Sequence, residues 1–413
     1  MQIRDKIKKF KPSKKLSSLR FSTGIVVCLL AALIGARLLF GAHAEGPYVS
    51  FEAESGTVVS PAVIYKDPTA SNGEAVQFGS NSTTSGRVPY DWPFTWDSIW
   101  NIPISSGAQY VSAGIIANGI DQESTSGADD YDSVNPTFPV KTLTNAQLAN
   151  GTTGPAQVYS DPSMTAGGVW DDCAAFLGTD NMTVYQGQTL QLTAGGNPGF
   201  GGQADSTQPP VTLESAGTAG CHGGSGLSGL GGTLTNADFS SSSPIQHALK
   251  IAIDCNESCS DKGSGYTWPA TSADYQYNVS GTANYYGGTN TNVHMGSLLA
   301  LPPSINPSSF SNAIVQKLAT ATQDYGAYIV DNTANGSLMH ESFITNYNAN
   351  SYLLSLGTSN SQIIQLIEDL EVVNNNTSST PGGGAIGSSR YAPYAPAFND
   401  GTDAPPSVTV ISP

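Results

Sequence analysis

Positive charge is scarce over most of this chain. Charged residues make up 12% of the sequence, against about 25% in typical soluble domains. Nine of the 16 lysines and arginines, but one of the 32 acidic residues, precede residue 45. The rest therefore holds 7 basic and 31 acidic residues, a net charge of −24, with Arg87 and Arg390 as its arginines. Because nucleic acid phosphates are bound by clustered lysine and arginine, this composition excludes a nucleic acid partner.

Long apolar runs are also lacking. The uninterrupted apolar stretch at residues 25–36 is 12 residues long, whereas a membrane-spanning helix needs about 20. It follows a cationic N-terminal segment and precedes Ala42-His43-Ala44, a small-x-small cleavage pattern. This order predicts a signal peptide over residues 1–44, and therefore a secreted or cell-surface protein. The alternative is an uncleaved signal anchor, in which the side chain of Arg37 reaches the membrane surface. Such an anchor is the one membrane contact that the sequence predicts.

Cysteine is rare, and its count is informative. Beyond Cys28 in the signal segment the chain has four cysteines, Cys173, Cys221, Cys255 and Cys259. An even number outside the cytoplasm predicts two disulfides, with three connectivities open. The simplest pairs the last two with each other, since they flank a short polar turn, and joins Cys173 to Cys221. No CxxC pair supports zinc binding as the competing interpretation.

Turn-forming residues are abundant and favour a mainly β fold. The chain has 45 glycines and 25 prolines, which indicate many turns between short strands. Apolar patterns predict strands at residues 245–253, 297–301 and 327–330 and a hairpin over 182–193. Helical spacing predicts helices over 312–325 and 361–373. We expect a jelly-roll or lectin-like β-sandwich with two short packing helices.

Both ends of the exported chain resemble pieces of accessory modules. Glu52-Ala-Glu54-Ser-Gly, followed by the segment that starts at Ala70-Ser-Asn-Gly, resembles the beginning of carbohydrate-binding modules of families 6 and 35. The resemblance implies that the two glutamates help to hold a structural calcium ion. It covers a small part of such a module, and predicts a truncated segment over residues 45–80 and a linker over 81–87. Residues 396–413 are predicted to be a proline-rich tail that resembles the first strand of a bacterial immunoglobulin-like repeat.

The main domain is expected over residues 88–395, where an ordered series of motifs occurs. The motifs are SGLSGLGGT from Ser225, PIQHALKI from Pro244, WPA from Trp268, GSLLALPPS from Gly296, YGAYIVDNT from Tyr325 and VVNNNT from Val372. The series resembles a family of large secreted bacterial proteins of unassigned activity, often joined to sugar-binding modules. The resemblance implies an exported protein that works on or near carbohydrate, and it supplies no catalytic residues.

Acidic residues and one histidine are the candidate catalytic groups. A glycoside hydrolase needs two carboxyl groups, about 5 Å apart in retaining enzymes and about 6.5–9.5 Å apart in inverting ones. Asp171, Asp172 and Asp180 flank Cys173, and Asp331 follows a predicted strand. His247 lies within a predicted strand and is the candidate base or sugar contact. The alternatives are a hydrogen-bonded core histidine and aspartates that cap turns or face solvent.

Candidate binding residues are aromatic side chains and a second histidine. Tyr285 and Tyr286 are predicted to stack on sugar rings, unless they fill the core. His222, which precedes Gly-Gly-Ser, is a predicted substrate contact. The glycines from Gly224 to Gly229 fit the GxGxxG pattern, but no helix-forming segment follows them. We therefore expect a glycine turn and no nucleotide partner.

An acidic cluster is the candidate calcium site. Residues 121–132 contain five acids, of which Asp129, Asp130 and Asp132 are the predicted metal ligands. Carboxylate oxygens suit calcium, although the spacing differs from that of an EF-hand. A solvated acidic loop is the alternative.

The sequence as a whole predicts a secreted carbohydrate-active protein whose partner is a polysaccharide or a cell-surface glycan. A glycoside hydrolase acting on a neutral or weakly charged polysaccharide is the first hypothesis. A non-catalytic glycan-binding adhesin is the second. A polysaccharide lyase is the third, with calcium in place of the missing arginines as the cation that neutralises a uronate.

Overall fold

The computed structural model describes residues 63–66, 74–77, 86–117, 129–165, 173–193, 195–201, 207–333, 341–357 and 360–413. The predicted signal peptide, most of the segment at 45–80, and Asp171 and Asp172 lie outside the described residues. The chain divides into two units, residues 1–83 and 84–413. In the smaller unit, strand β1 (Val63–Lys66) pairs antiparallel with β2 (Glu74–Gln77).

The larger unit is mainly β, as predicted. Its described strands are β3 (Tyr110–Ser112), β4 (Asp129–Ser133), β5 (Val140–Gln147), β6 (Thr153–Tyr159), β7 (Ala174–Leu177), β8 (Thr183–Gly187), β9 (Leu190–Leu192), β10 (Pro198–Phe200), β11 (Thr207–Thr212), β12 (Leu249–Ile253), β13 (Leu298–Ala300), β14 (Ala327–Asn332), β15 (Ser342–Phe343), β16 (Thr345–Asn346) and β17 (Glu371–Val373). Its described helices are α1 (Asn236–Ser240), α2 (Ala313–Asp324), α3 (Asn350–Leu354) and α4 (Ser361–Glu368). None of these helices has the length and apolar character needed to cross a bilayer.

Two mixed sheets form the framework. One has six strands in the order β15-β12-β14-β13-β17-β3, and the other has five in the order β11-β8-β7-β4-β16. Strand β12 runs parallel to β14, and β4 runs parallel to both β7 and β16. A jelly roll consists of antiparallel strands, so the parallel pairs depart from that part of the expectation.

Alternating side chains place the two sheets in one layered core. Leu249, Ile251 and Ile253 of β12 face a buried cluster that contains the apolar sides of α2 and α4. On the opposite face of the same sheet, Ala252 and its neighbours share a second cluster with Leu177 and other residues of β7 and β8. A third cluster covers the other side of the five-stranded sheet, beneath the β5–β6 hairpin. The six-stranded sheet is therefore buried on both faces.

The two predicted helices are confirmed, and asparagine caps begin both of them. The Oδ1 of Asn312 accepts hydrogen bonds from the N–H groups of residues 314 and 315, and Asn360 caps α4 in the same way. Helix α4 ends at Glu368, earlier than predicted, because residues 371–373 form a strand that pairs with β13 and β3. The predicted hairpin over 182–193 is wrong, since β8 pairs with β7 and β11 while β9 pairs with β10.

The strand predicted over residues 245–253 begins later than expected, at Leu249. Before that residue the backbone follows another course, because the N–H of Ala248 donates to the carbonyl of Trp100 at 2.8 Å. His247 consequently lies just outside the sheet rather than on the core face with Leu249 and Ile251.

Both predicted disulfides are present. Cys173 pairs with Cys221, with 5.5 Å between the Cα atoms, and Cys255 pairs with Cys259 at 4.3 Å. The first bond joins the start of β7 to a glycine-rich loop. The second closes a short turn after β12.

Both arginines of the larger unit are buried in the framework. Arg390 is fully buried and donates to the carbonyl oxygens of four residues, 103, 381, 384 and 385. Arg87 forms an ion pair with Asp403 and pairs through its backbone with Phe398. The C-terminal residues are thus tied to the larger unit, and neither guanidinium is available to a ligand.

Candidate functional site

A cleft of about 390 Å³ lies beside the end of β4 and the segment that contains α1. Tyr90 and Trp92 are half-buried aromatic side chains in its lining. Four further titratable side chains line the same space: Asp91, Asp132, Asp238 and His247. The cleft therefore combines aromatic surface with acid–base groups.

Asp132 is held at the cleft by strand pairing. It lies on β4, and the side chain of Asn346 in β16 clamps its backbone: Oδ1 accepts from the N–H of Asp132 at 3.2 Å, and Nδ2 donates to its carbonyl at 3.1 Å. The side chain is 6% exposed. Burial, together with the negative charge of Asp130, raises the pKa of Asp132 well above its usual range. Burial therefore favours the protonated form of this carboxyl group, which is the form that can donate a proton.

Asp238 has the opposite electrostatic environment. It is the third residue of α1, where its Oδ2 accepts hydrogen bonds at 2.7 Å from both the backbone N–H and the hydroxyl of Thr235. Its Oδ1 lies 3.5 Å from Nε2 of His247. Burial alone would raise the pKa of Asp238, but attraction to His247 and these hydrogen bonds lower it overall. Asp238 is therefore ionised near neutral pH.

His247 is oriented by two partners. Its Nδ1 lies 2.9 Å from the carbonyl oxygen of Ala248 and donates to it, and Nε2 faces Asp238. Burial lowers the pKa of His247, yet Asp238 and the backbone hydrogen bond more than offset this, so that the net change is upward. The histidine accordingly favours the ionised form of its carboxylate partner.

A buried ion pair lies directly behind the cleft. Lys250, the second residue of β12, is fully buried. Its Nζ donates to Asp130 Oδ2 and to the carbonyl oxygens of Ser228 and Gly229 at 3.1 and 2.7 Å. The hydroxyl of Thr233 donates to the same Asp130 oxygen at 2.8 Å. Burial would raise the pKa of Asp130, but Lys250 and His222 lower it. Asp130 is thus the ionised neighbour of Asp132.

His222 and Asp331 are brought together, but they do not line this cleft. Nδ1 of His222 lies 3.5 Å from Asp331 Oδ2, and its Nε2 lies 3.2 Å from Asp130 Oδ1. Burial lowers the pKa of His222, and the two carboxylates raise it above its ordinary value overall. The imidazole therefore bridges two aspartates as part of the buried network.

The predicted calcium ligands have other contacts. Asp130 and Asp132 lie on one face of β4, whereas the side chain of Asp129, like Asp121 and Glu123, is outside the described residues. Asp130 already has an ammonium group as its counterion. Ligand-type atoms of Asp130, His222 and Cys173 lie within 4.8 Å of one another, but the sulfur of Cys173 is part of a disulfide. This last trio does not suit a metal ion, and the calcium site stays a prediction.

The remaining predicted site residues lie elsewhere. Asp180 caps its own turn, where its Oδ1 accepts from the N–H groups of Met182 and Thr183 at 3.0 and 2.9 Å. Tyr286 is fully buried and its hydroxyl donates to a carboxylate oxygen of Asp274 at 2.7 Å, so its ring cannot stack on a sugar. Tyr285 is half-buried, with its hydroxyl 3.4 Å from Asp261.

Two residues of this region were missed by sequence reasoning. Asp238 had a detectable signal, because Thr235-x-x-Asp238 is a capping-box pattern. Lys250 is a single lysine inside an apolar strand, which indicates a buried charge that must have a partner. No protein-family model, curated protein or solved structure matches this chain. The geometry of the cleft is therefore the basis for a functional proposal.

Proposed function

We propose that this protein is a secreted glycoside hydrolase that acts on a neutral polysaccharide in the Asp132–Asp238 cleft. The observation that carries the proposal is that buried Asp132 and half-buried Asp238 line one cleft with an aromatic wall and have opposite pKa shifts. Titratable groups whose environments separate their pKa values are the usual mark of an acid–base pair. Asp132 is assigned as the acid and Asp238 as the carboxylate that acts opposite it.

The chemistry balances with these two groups and one water molecule. Asp132 donates its proton to the glycosidic oxygen as the bond from that oxygen to the anomeric carbon breaks. In an inverting enzyme Asp238 takes a proton from the water that attacks the anomeric carbon. In a retaining enzyme Asp238 attacks that carbon itself, and water then releases the sugar. His247 is a positioning residue that keeps Asp238 ionised.

The lining of the cleft favours an uncharged substrate. No lysine or arginine is among the residues that line it in the described part of the chain. A uronate in a lyase substrate would need such a cation or a metal ion to neutralise its carboxylate. Tyr90 and Trp92 offer ring faces for stacking on the apolar side of a sugar, the role first expected of Tyr285 and Tyr286.

Export and the lectin-like architecture belong to the same proposal. The N-terminal 44 residues support secretion through their sequence pattern. The two sheets share one core, which supports a sandwich arrangement with an added helical layer. A substrate outside the cell fits both features.

The test is a substrate panel with the purified full-length chain. Starch, laminarin, xylan and galactomannan serve as neutral polymers, and polygalacturonate and alginate serve as anionic ones, each with and without a chelator. We expect new reducing ends from at least one neutral polymer, with no unsaturated product. Binding without any product would instead establish a glycan-binding adhesin. Unsaturated products that disappear with the chelator would establish a calcium-assisted lyase.

A further inference from the structure

A second cleft, of about 210 Å³, lies where three separate sequence motifs meet. Thr267 and Trp268 come from the Trp-Pro-Ala motif and its flank, and Ser297 belongs to the Gly-Ser-Leu-Leu motif. The segment from Val372 to Asn376 comes from the Val-Val-Asn-Asn-Asn-Thr motif. The hydrolase proposal uses none of these residues.

The polar groups that line this cleft are uncharged. No aspartate, glutamate, lysine or arginine is among its described lining residues. Its one titratable side chain is His294, and burial lowers the pKa of this imidazole, so the ring is neutral at neutral pH. The other polar groups are hydroxyls and amides. A charged ligand would find no counterion here, whereas a hydroxyl-rich neutral ligand would find both donors and acceptors.

The backbone segments around the cleft are held in place by hydrogen bonds. The N–H of Thr267 donates to the carbonyl oxygen of Met295 at 2.9 Å, and the N–H of Asn374 donates to the carbonyl oxygen of Gln109 at 2.8 Å. The Oδ1 of Asn376 accepts from the N–H of residue 382 at 2.9 Å. The shape of the cleft is therefore built before any ligand arrives, which reduces the entropic cost of binding.

Two side chains keep unused hydrogen-bonding groups. Asn374 is exposed at the cleft, and Trp268 is half-buried against the core. Neither the amide of Asn374 nor the indole N–H of Trp268 is bonded to another residue that the structure describes. An indole beside an amide offers an apolar ring and polar donors at one place, which is the combination that sugar rings require.

We propose that this second cleft is a binding subsite for a neutral saccharide, distinct from the Asp132–Asp238 cleft. No carboxylate lines it in the described chain, so it binds the sugar and does not cleave it. A polysaccharide held at two sites on one chain gains avidity, because the second contact is intramolecular. This subsite stands independently of the hydrolase proposal, since it shares no lining residue with the first cleft.

The test is calorimetric titration of the full-length Asp132→Asn chain with maltohexaose, cellohexaose, laminarihexaose, xylohexaose and mannohexaose. We expect at least one of them to bind. Adding Trp268→Ala should weaken that binding by about tenfold, and adding Asn374→Ala should weaken it several-fold through the lost amide. Asn399→Ala, at an exposed asparagine elsewhere, is the matched control and should leave the affinity unchanged.

Thermal unfolding of each variant separates a lost contact from a lost fold. Asn374 is exposed, so its variant should retain the parent melting temperature even if the Trp268 variant does not. The subsite would be refuted if none of the five sugars binds, or if a sugar binds with equal affinity to a folded Asn374→Ala chain and the parent. Hydrolysis measured separately on the unaltered chain reports on the first cleft alone, so the two proposals can fail independently.

Discussion

Nε2 of His247 lies 3.5 Å from Oδ1 of Asp238, and this contact joins the segment before β12 to the first turn of α1. The two residues are nine positions apart in the sequence. Asp238 lies in α1, whereas His247 lies in the segment between α1 and β12. Their pairing lowers the pKa of one carboxyl group of the cleft, while burial raises the pKa of Asp132 in the same cleft.

Removing His247 should shift the acid limb of the pH–activity profile. Because attraction to His247 lowers the pKa of Asp238, the change His247→Gln should raise that pKa. Activity that requires ionised Asp238 would then be lost at a higher pH as the solution is acidified. The dependence of kcat/KM on pH measures this. Lys262→Gln, which removes a positive charge outside both clefts, should leave the limb where it is. Equal profiles for the parent and His247→Gln would remove His247 from its positioning role.

Removing Lys250 should strongly destabilise the fold. The change Lys250→Met leaves Asp130 buried without its ammonium partner, and breaking such a pair costs about 3–5 kcal/mol. Urea denaturation of the two chains measures the difference in the free energy of unfolding. Lys262→Met, at an exposed lysine, should leave the free energy of unfolding nearly unchanged.

A second variant checks the reason for that loss. Combining Lys250→Met with Asp130→Asn removes both charges, so the pair of changes should recover part of the stability. A double variant as unstable as the sum of the two single variants would contradict an electrostatic origin.

Asp324 at the end of α2 should make stability depend on pH near neutrality. Burial raises the pKa of this carboxyl to about 7. The folded state thus holds a proton that the unfolded state releases, and the free energy of unfolding falls as pH rises from the unfolded pKa to about 7. Asp324→Asn should be more stable than the parent by about 1–3 kcal/mol at about pH 8 and should show little difference at about pH 4. Parallel stability curves for the two chains would refute this.

The two disulfides should contribute unequally to stability. Cys173 and Cys221 are 48 positions apart, whereas Cys255 and Cys259 are 4 apart. Loop-closure entropy assigns about 4 kcal/mol to the long loop and about 2 kcal/mol to the short one. Replacing each pair by alanine and measuring the urea midpoint compares them. A larger loss from the short-loop pair would show that chain entropy does not control the difference.

Local patterns in the sequence were enough to predict several features correctly. The helices predicted over 312–325 and 361–373 are both present, because helical spacing depends only on residues that are close in the sequence. The disulfide pairing followed from the short spacing of Cys255 and Cys259. The mainly β character followed from composition and alternation.

The functional cleft depends on contacts that a local pattern does not contain. Lys250 and Asp130 are 120 positions apart and meet because their strands belong to the two packed sheets. Because the sequence does not show this contact, it predicts Asp132 and the neighbouring acids as calcium ligands. Asp238 is not among the residues that the sequence predicts for the site, because its role depends on the contact with His247.

The most direct test of the account compares kcat/KM for Asp132→Asn and Asp238→Asn on the neutral polymer that the full-length chain degrades. Positioned acid–base groups each contribute about 10²–10⁴-fold, so both variants should lose at least about a hundredfold in activity while they remain folded. Glu368→Gln, at an exposed acid on α4, should retain the parent rate. Parent-like hydrolysis by either folded aspartate variant would contradict the assignment of this cleft as the active site.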